Sequence, residues 1–353
     1  MFCSRLFVTL HPMKRIGFYA IAMLLGLLTA CGGSKKNSGE TTEVPVGPAF
    51  EADSAYTFCE QQCLFGPRTM NSEAHERCAE WIVKKFESYG LHVTQQRADL
   101  RGYDGTMLRA TNIIASLHPE LKDRIMLCAH WDSRPWADND PDEANWHTPV
   151  MAANDGASGV AVMLELARIL GPATPENDSL ANTTRLGLDF ICFDAEDWGV
   201  PQWSDTGDDS DSWALGAQHW AAHPHQEGYK PRFGILLDMV GGQGARFFQE
   251  MYSRRYAPEV VDRVWQAAQV VGYGSFFPRK EGGMITDDHV PVNQVAGIPC
   301  IDIIPYYADC IASSFGPTWH TVNDDMQHID RATLRAVGQT LVQVIVTAVP
   351  PQP

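Results

Sequence analysis

The chain has 353 residues, 44% of them hydrophobic and 20% charged, with a formal net charge of −16. That apolar content is enough to build a core and excludes a disordered chain. An acidic balance without Lys/Arg clusters excludes nucleic acid as a partner, because phosphate binding needs such clusters.

From the N-terminus, Lys14 and Arg15 precede an apolar run over residues 16–28, the pattern of an export signal too short to span a bilayer comfortably. The run ends in Leu28-Thr29-Ala30-Cys31, which resembles the bacterial lipobox, whose cysteine becomes the lipidated first residue. The expectation is an exported, periplasmic lipoprotein anchored to the outer membrane through Cys31. Residues 1–30 are then removed as a signal peptide, and Met13 is an alternative start. Residues 31–49 read as a flexible Gly/Ser/Lys/Thr/Pro tether, and residues 50–353 as a single catalytic domain. Seven cysteines follow Cys31 in a compartment that can oxidise them. Cys128 and Cys192 sit in apolar runs and read as buried thiols.

Ser72 is a candidate N-cap for a helix carrying Cys78, Trp81, Ile82, Phe86 and Tyr89 on one stripe and closed by Gly90. Residues 112–117 and 124–129 read as strands, 156–170 as a helix and 186–193 as a buried strand. The short apolar pattern recurs at 233–239 and 300–304, separated by helices near 257–271 and 331–348. Strands alternating with helices predict an α/β fold, a central mixed, mostly parallel twisted sheet with helices on both faces.

In such sheets sites gather beyond the carboxyl ends of the strands. The strand at 124–129 delivers His130 and Asp132, the next runs into Asp194, Glu196 and Asp197, and the third delivers Asp238. Asn154-Asp155-Gly156 places an acid just before a helix, and Trp319-His320-Thr321 adds a late imidazole. Singly, these residues read as caps, core histidines or solvated acids. Together they form the hard oxygen and imidazole set that zinc accepts. Neighbours Glu196 and Asp197 point apart on an extended backbone, so one can bind metal while the other accepts a proton. The acidic stretches 138–143 and 205–211 read as solvated loops, with a ring around a site mouth as the alternative.

These motifs, in this order from about residue 65 to the C-terminus, resemble the ligand set of the co-catalytic zinc aminopeptidase clan. That resemblance implies Glu196 as general base and Asp155, Asp197 and His320 as metal ligands. His130 and Asp238 form a possible second metal site, and Asp132 orients His130. Three further features are similar to animal-type glutaminyl-peptide cyclotransferases, which bacteria also carry. They are Trp319 directly before His320, the run Asp287-Asp288-His289-Val290-Pro291, and Trp203 in the loop after the acidic pair. Where mammalian members use a second Glu as zinc ligand, this chain has Asp197.

The cyclotransferase resemblance implies cyclisation of N-terminal glutamine of peptides and proteins, with one bound zinc polarising the γ-carbonyl and Glu196 moving the proton from amine to leaving amide. Asp238 and Asp287 are the other expected catalytic residues, sharing a proton if they meet. Trp203, Trp319, Ile285 and Phe315 are the expected substrate contacts. A monomer is expected. The alternatives are a two-metal aminopeptidase and a catalytically silent binding domain, the latter disfavoured because every ligand and Glu196 are present.

Overall fold

The computed structural model describes residues 43–171, 186–205 and 210–348. The expected signal peptide, Cys31 and most of the tether lie outside these residues, as do positions 206–209 of the second acidic stretch.

The described chain begins with α1 (Ala52–Cys63) and α2 (Glu73–Ser88), then β1 (His92–Arg101), β2 (Met107–Leu117) and β3 (Arg124–His130). There follow α3 (Ala157–Leu170), β4 (Gly187–Phe193), α4 (Leu215–Ala222) and β5 (Gly234–Leu237). The chain closes with α5 (Met251–Tyr256), α6 (Pro258–Val270), α7 (His289–Gln294), β6 (Cys300–Ile303) and α8 (Arg331–Ala348). The expected helix after Ser72 is α2, and the Ser72 side chain accepts a hydrogen bond from the His75 backbone N–H at 3.1 Å. Among the described residues no helix is long and apolar enough to cross a membrane.

The six strands form one sheet in the order β1-β2-β4-β3-β5-β6. β4, β3, β5 and β6 run parallel, while β1 and β2 are antiparallel additions at one edge. This is the mixed, mostly parallel sheet expected. Alternation along β3 shows why both faces are covered: Ile125, Leu127 and Ala129 join the core under α2, α3, α6 and α8. Met126 and Cys128 join a second cluster under α4 and α7. Cys192 on β4 lies in the first core and Cys128 in the second, both buried free thiols.

β1 has no counterpart in the expected elements. Its residues alternate between half-buried and exposed, so it carries no apolar run to betray it. The consequence for the site is positional: β3, β4 and β5 are parallel neighbours, so their C-terminal turns converge at one end of the sheet.

Candidate active site

His130 is the last residue of β3, Glu196 and Asp197 follow β4, and Asp238 follows β5. Asp155 precedes α3, whose N-terminal dipole favours a carboxylate there. His320 arrives on the loop before α8. All six side chains are buried. The backbone is left-handed at or beside each turn, with φ of 53° at Ala195, 50° at Met239, 52° at His320 and 103° at Gly156. Non-glycine residues adopt this region at a cost and do so where a surrounding structure imposes it. At Gly156 a side chain is also sterically barred, since a Cβ would stand 2.7 Å from the Asp132 carbonyl oxygen.

The side chains meet in two overlapping groups, His130 with Asp155 and Asp238, and Asp155 with Asp197 and His320. His130 Nε2 lies 3.0 Å from Asp155 Oδ1 and 3.3 Å from Asp238 Oδ1. His320 Nε2 lies 3.2 Å from Asp197 Oδ1 and 3.6 Å from Asp155 Oδ2. Asp155 therefore bridges both groups, one oxygen toward each. Asp197 Oδ2 is buried with no hydrogen-bond partner. Unsatisfied carboxylate oxygen converging with imidazole nitrogen in a water-poor place fits a divalent cation, and the donor set suits zinc.

Buried carboxylates hold the turns through backbone N–H groups. Asp132 accepts from the Glu196 and Asp197 amides at 3.1 and 3.2 Å. Its distance to His130 Nδ1 is 3.6 Å, so the expected orientation of His130 by Asp132 is secondary to its grip on the acidic turn. Asp324 does the same for Asn154 and Asp155, at 2.8 and 3.0 Å. The Arg134 guanidinium binds both oxygens of Asp138, at 2.8 and 2.6 Å, and reaches Asp197 Oδ1 at 3.3 Å. Asp138 Oδ1 stands 3.4 Å from His320 Nδ1. The reading of 138–143 as a solvated loop thus fails at its first residue: Asp138 is buried because Arg134, four positions earlier, pairs with it behind a candidate ligand.

Electrostatics separate the carboxyls. Burial pushes the Glu196 carboxyl well above its ordinary range; His130 opposes this, while Asp197, Asp287 and Asp288 add to it. Burial also drives Asp238 up to about 7, with Asp155 and Asp287 acting in the same direction. The site can therefore hold protons near neutrality.

A cavity of about 260 Å³ opens over this cluster. Asp155, Glu196, Asp238, Asp287 and His320 form its polar side, and Trp213, Ile285, Phe315 and Trp319 its apolar side. Trp319 stacks on His320 with centroids 3.7 Å apart, and Phe315 packs on Trp319 at 4.8 Å. Of the expected substrate contacts, Trp319, Ile285 and Phe315 line this cavity. Trp203 does not: it stacks on Trp146 at 6.0 Å in an aromatic group with Trp136 and His147, on a loop extended beyond the acidic pair. The unexpected aromatic is Trp213, parallel to His320 at 6.0 Å with the Arg134 guanidinium 4.7 Å over its ring. It lies in a polar loop, and no local pattern distinguishes it.

A mostly parallel sheet whose strand ends bring two His/Asp cages and a spare glutamate to one pocket defines a zinc-exopeptidase-like enzyme. Residues 112–345 match Peptidase family M28, and the chain belongs to that family. The glutaminyl cyclase of Bacteroides thetaiotaomicron, solved bound to N-acetylhistamine, is 50% identical, with a TM-score of 0.80 over 84% of this chain and 98% of that one. A leucine aminopeptidase precursor from the same organism is also 50% identical, with a TM-score of 0.79 over 86% and 99%. The glutaminyl-peptide cyclotransferase of Gloydius blomhoffii is 29% identical over 65% of this chain. The matched stretch spans 63% of that relative and 50% of an aminopeptidase from Bacillus subtilis, so it falls short of their full lengths.

Proposed function

We propose that this enzyme cyclises the N-terminal glutamine of peptides and proteins to pyroglutamate, releasing ammonia. The observation that carries the reading is the cavity of about 260 Å³ with an aromatic wall facing Glu196, Asp238 and Asp287. Cyclisation is intramolecular, so the site must fold one side chain back on its own amine and keep water away, which is catalysis by positioning.

Asp155, Asp197 and His320 would hold one zinc, which when bound would supply a Lewis acid for the glutamine γ-carbonyl. Glu196 takes the proton from the attacking α-amine and passes it to the departing amide nitrogen. Asp238 and Asp287 line the same cavity, but no hydrogen bond joins them, since Asp287 Oδ2 is buried without a partner. Asp238, driven up to about 7, is the proton donor beside the leaving group and Asp287 the neighbouring charge. Trp319 and Trp213, both packed on His320, form the apolar wall against which the methylenes of the side chain lie, with Phe315 and Ile285 completing it.

The second reading is an aminopeptidase, favoured by the complete group of His130, Asp155 and Asp238, which could hold a second metal. Incubation of the zinc-loaded protein with a Gln-initiated peptide separates the two. Ammonia and an intact peptide lighter by one ammonia support cyclisation. A free amino acid and a shortened peptide, with activity that needs two zinc equivalents, support hydrolysis.

The export expectation is carried forward as part of the proposal: Cys31 anchors the enzyme to the outer membrane facing the periplasm, where exported peptides with N-terminal Gln are its substrates, and it works as a monomer. Metabolic labelling with a fatty acid, compared between the parent and Cys31→Ala, tests the anchor.

A further inference from the structure

Asp194 ends β4 and begins the turn that carries Glu196 and Asp197, yet it reaches neither the cavity nor a metal group. It is fully buried. Its Oδ2 accepts the Thr111 backbone N–H at 2.6 Å and its Oδ1 accepts that of Ala195 at 2.9 Å. Its own N–H donates to Asn112 Oδ1 at 2.9 Å, and Asn112 in turn donates to the Gly216 carbonyl at the start of α4. A Cβ at Gly216 would stand 2.0 Å from the Asp194 carbonyl oxygen, so α4 is pressed against this turn.

The side chain facing Asp194 comes from α2, 119 residues earlier in the chain. His75 Nε2 lies 2.8 Å from Oδ1 and 3.0 Å from Oδ2. The ring is itself fixed, stacked on Trp131 at 4.2 Å and 20°, while the His75 backbone is tied to the Ser72 cap. Trp131 stands between His130 and Asp132, and its amide donates to the Phe193 carbonyl at 3.0 Å. Burial pushes the Asp194 carboxyl up, and the His75 imidazole counters it.

We propose that His75 and Asp194 are a positioning pair for the catalytic turn: His75 holds the Asp194 carboxylate, which fixes Ala195 in its left-handed conformation and so aims Glu196 and Asp197. Ala195 is the joint that matters. Its φ of 53° reverses the chain between strand and acids, a conformation an alanine keeps only when neighbours impose it. Asp132 grips the turn on its far side through the Glu196 and Asp197 amides. Asp194 grips it on the near side, and without both the two carboxylates lose their fixed directions. The inference rests on the reading of Glu196 as base and Asp197 as ligand, and holds for cyclisation or hydrolysis alike.

The test uses the zinc-loaded full chain and its metal-stripped form. His75→Leu keeps bulk and removes the polar partner, while His75→Gln restores a donor. His75→Leu is expected to lower kcat by about tenfold to a hundredfold and to raise the zinc dissociation constant by a similar factor, the usual scale for groups supporting metal ligands. KM should stay within about threefold, and His75→Gln should fall between His75→Leu and the parent in both quantities. Zinc affinity is read without substrate, so it reports on the turn even if the assigned reaction proves wrong. If folded His75→Leu has kcat and zinc affinity within about twofold of the parent, whatever its melting temperature, the pairing is overturned. Should His75→Leu not fold, Asp194→Asn is read in its place with the same expectation and the same overturning result.

Discussion

The interiors of β3, β4 and β5 and the turns just beyond them are alike in burial and, apart from the Arg124–Asp189 pair at the start of β3 and β4, opposite in chemistry. Leu127, Phe190 and Ile235 are fully buried, and so are Asp132 and Asp194, with Asp197 almost so. In the strands burial is the driving force, at about 25 cal/mol per Å² of apolar surface. In the turns burial is a cost, offset by amides and guanidinium aimed at the carboxylates. The same backbone thus gains stability along its strands and holds reactive acids at their ends.

Paired substitutions on the two sides of that boundary should fail in opposite ways. Asp155→Ala removes the residue bridging both metal groups and should abolish zinc retention, with activity lower by about 10³ or more, the scale of several kcal/mol of lost metal stabilisation. Asp197→Ala and His320→Ala should act alike, and His130→Ala should keep zinc. Leu127→Ala, one strand interior away, should cost about 2–5 kcal/mol of stability and leave kcat nearly unchanged where the protein is still folded. Metal analysis and denaturant melts on the same preparations check both. Zinc binding intact in Asp155→Ala would remove the bridging role.

Glu196→Gln sharpens the contrast inside the turn itself, since its neighbour Asp197 is assigned to the metal. The variant should keep its zinc and lose about a hundredfold or more in kcat, the scale of general acid-base catalysis. Near-parental turnover would show that another group moves the proton.

The strand ends were the legible part of the site. The apolar runs at 124–129, 186–193 and 233–237 each stop at a His or an acid, and that pattern locates His130, Glu196, Asp197 and Asp238 without any knowledge of packing. Ligands delivered by chain direction can be read locally. Partners delivered by packing cannot: His75 meets Asp194 across 119 residues, and Asp324 meets Asp155 across 169. Arg134 and Asp138 are the intermediate case, four residues apart and of opposite charge, a spacing that could have flagged them. The fold shows the same division. The buried strands announced themselves, whereas β1, polar along much of its length, is recognisable only by its pairing with β2. α4, built of small residues around Trp220, gives no clear stripe.

Asp324 offers a pH test of the cost of burial in the turns. Burial, with Asp155 adding repulsion, drives its carboxyl up to about 7 against an ordinary value near 4. In the metal-free protein the folded state therefore keeps a proton that the unfolded state has released. Stability should fall as pH rises from about 4 to about 7 and then level off, because the unfolded state binds fewer protons in that window. The full span corresponds to about 4 kcal/mol as an upper bound for this one group. Asp324→Asn should flatten part of that slope in denaturant melts between these limits. An unchanged slope would mean that Asp324 is already ionised in the folded protein.

The smallest expected effect separates two tryptophans that look alike in sequence. Trp203 and Trp213 lie ten positions apart in one polar stretch after β4, but only Trp213 faces the cavity. Trp203 is 37% exposed and packs on Trp146 and Trp136 outside it. With a minimal substrate, a glutamine amide carrying no further residues, Trp203→Ala should alter kcat/KM by no more than about twofold, the range of about 0.5 kcal/mol usual for surface positions. Trp213→Ala should lower it by about tenfold to a hundredfold, because misplacing the bent side chain by about 1 Å is enough to produce such a loss. Trp213 also covers Arg134, which reaches Asp197, so part of its effect should appear as weaker zinc binding. A loss in Trp203→Ala equal to that in Trp213→Ala on the minimal substrate would mean that the loop closes inward during turnover, bringing Trp203 to the glutamine. Equal and negligible effects in both would leave Trp319 and Phe315 as the whole of the aromatic wall.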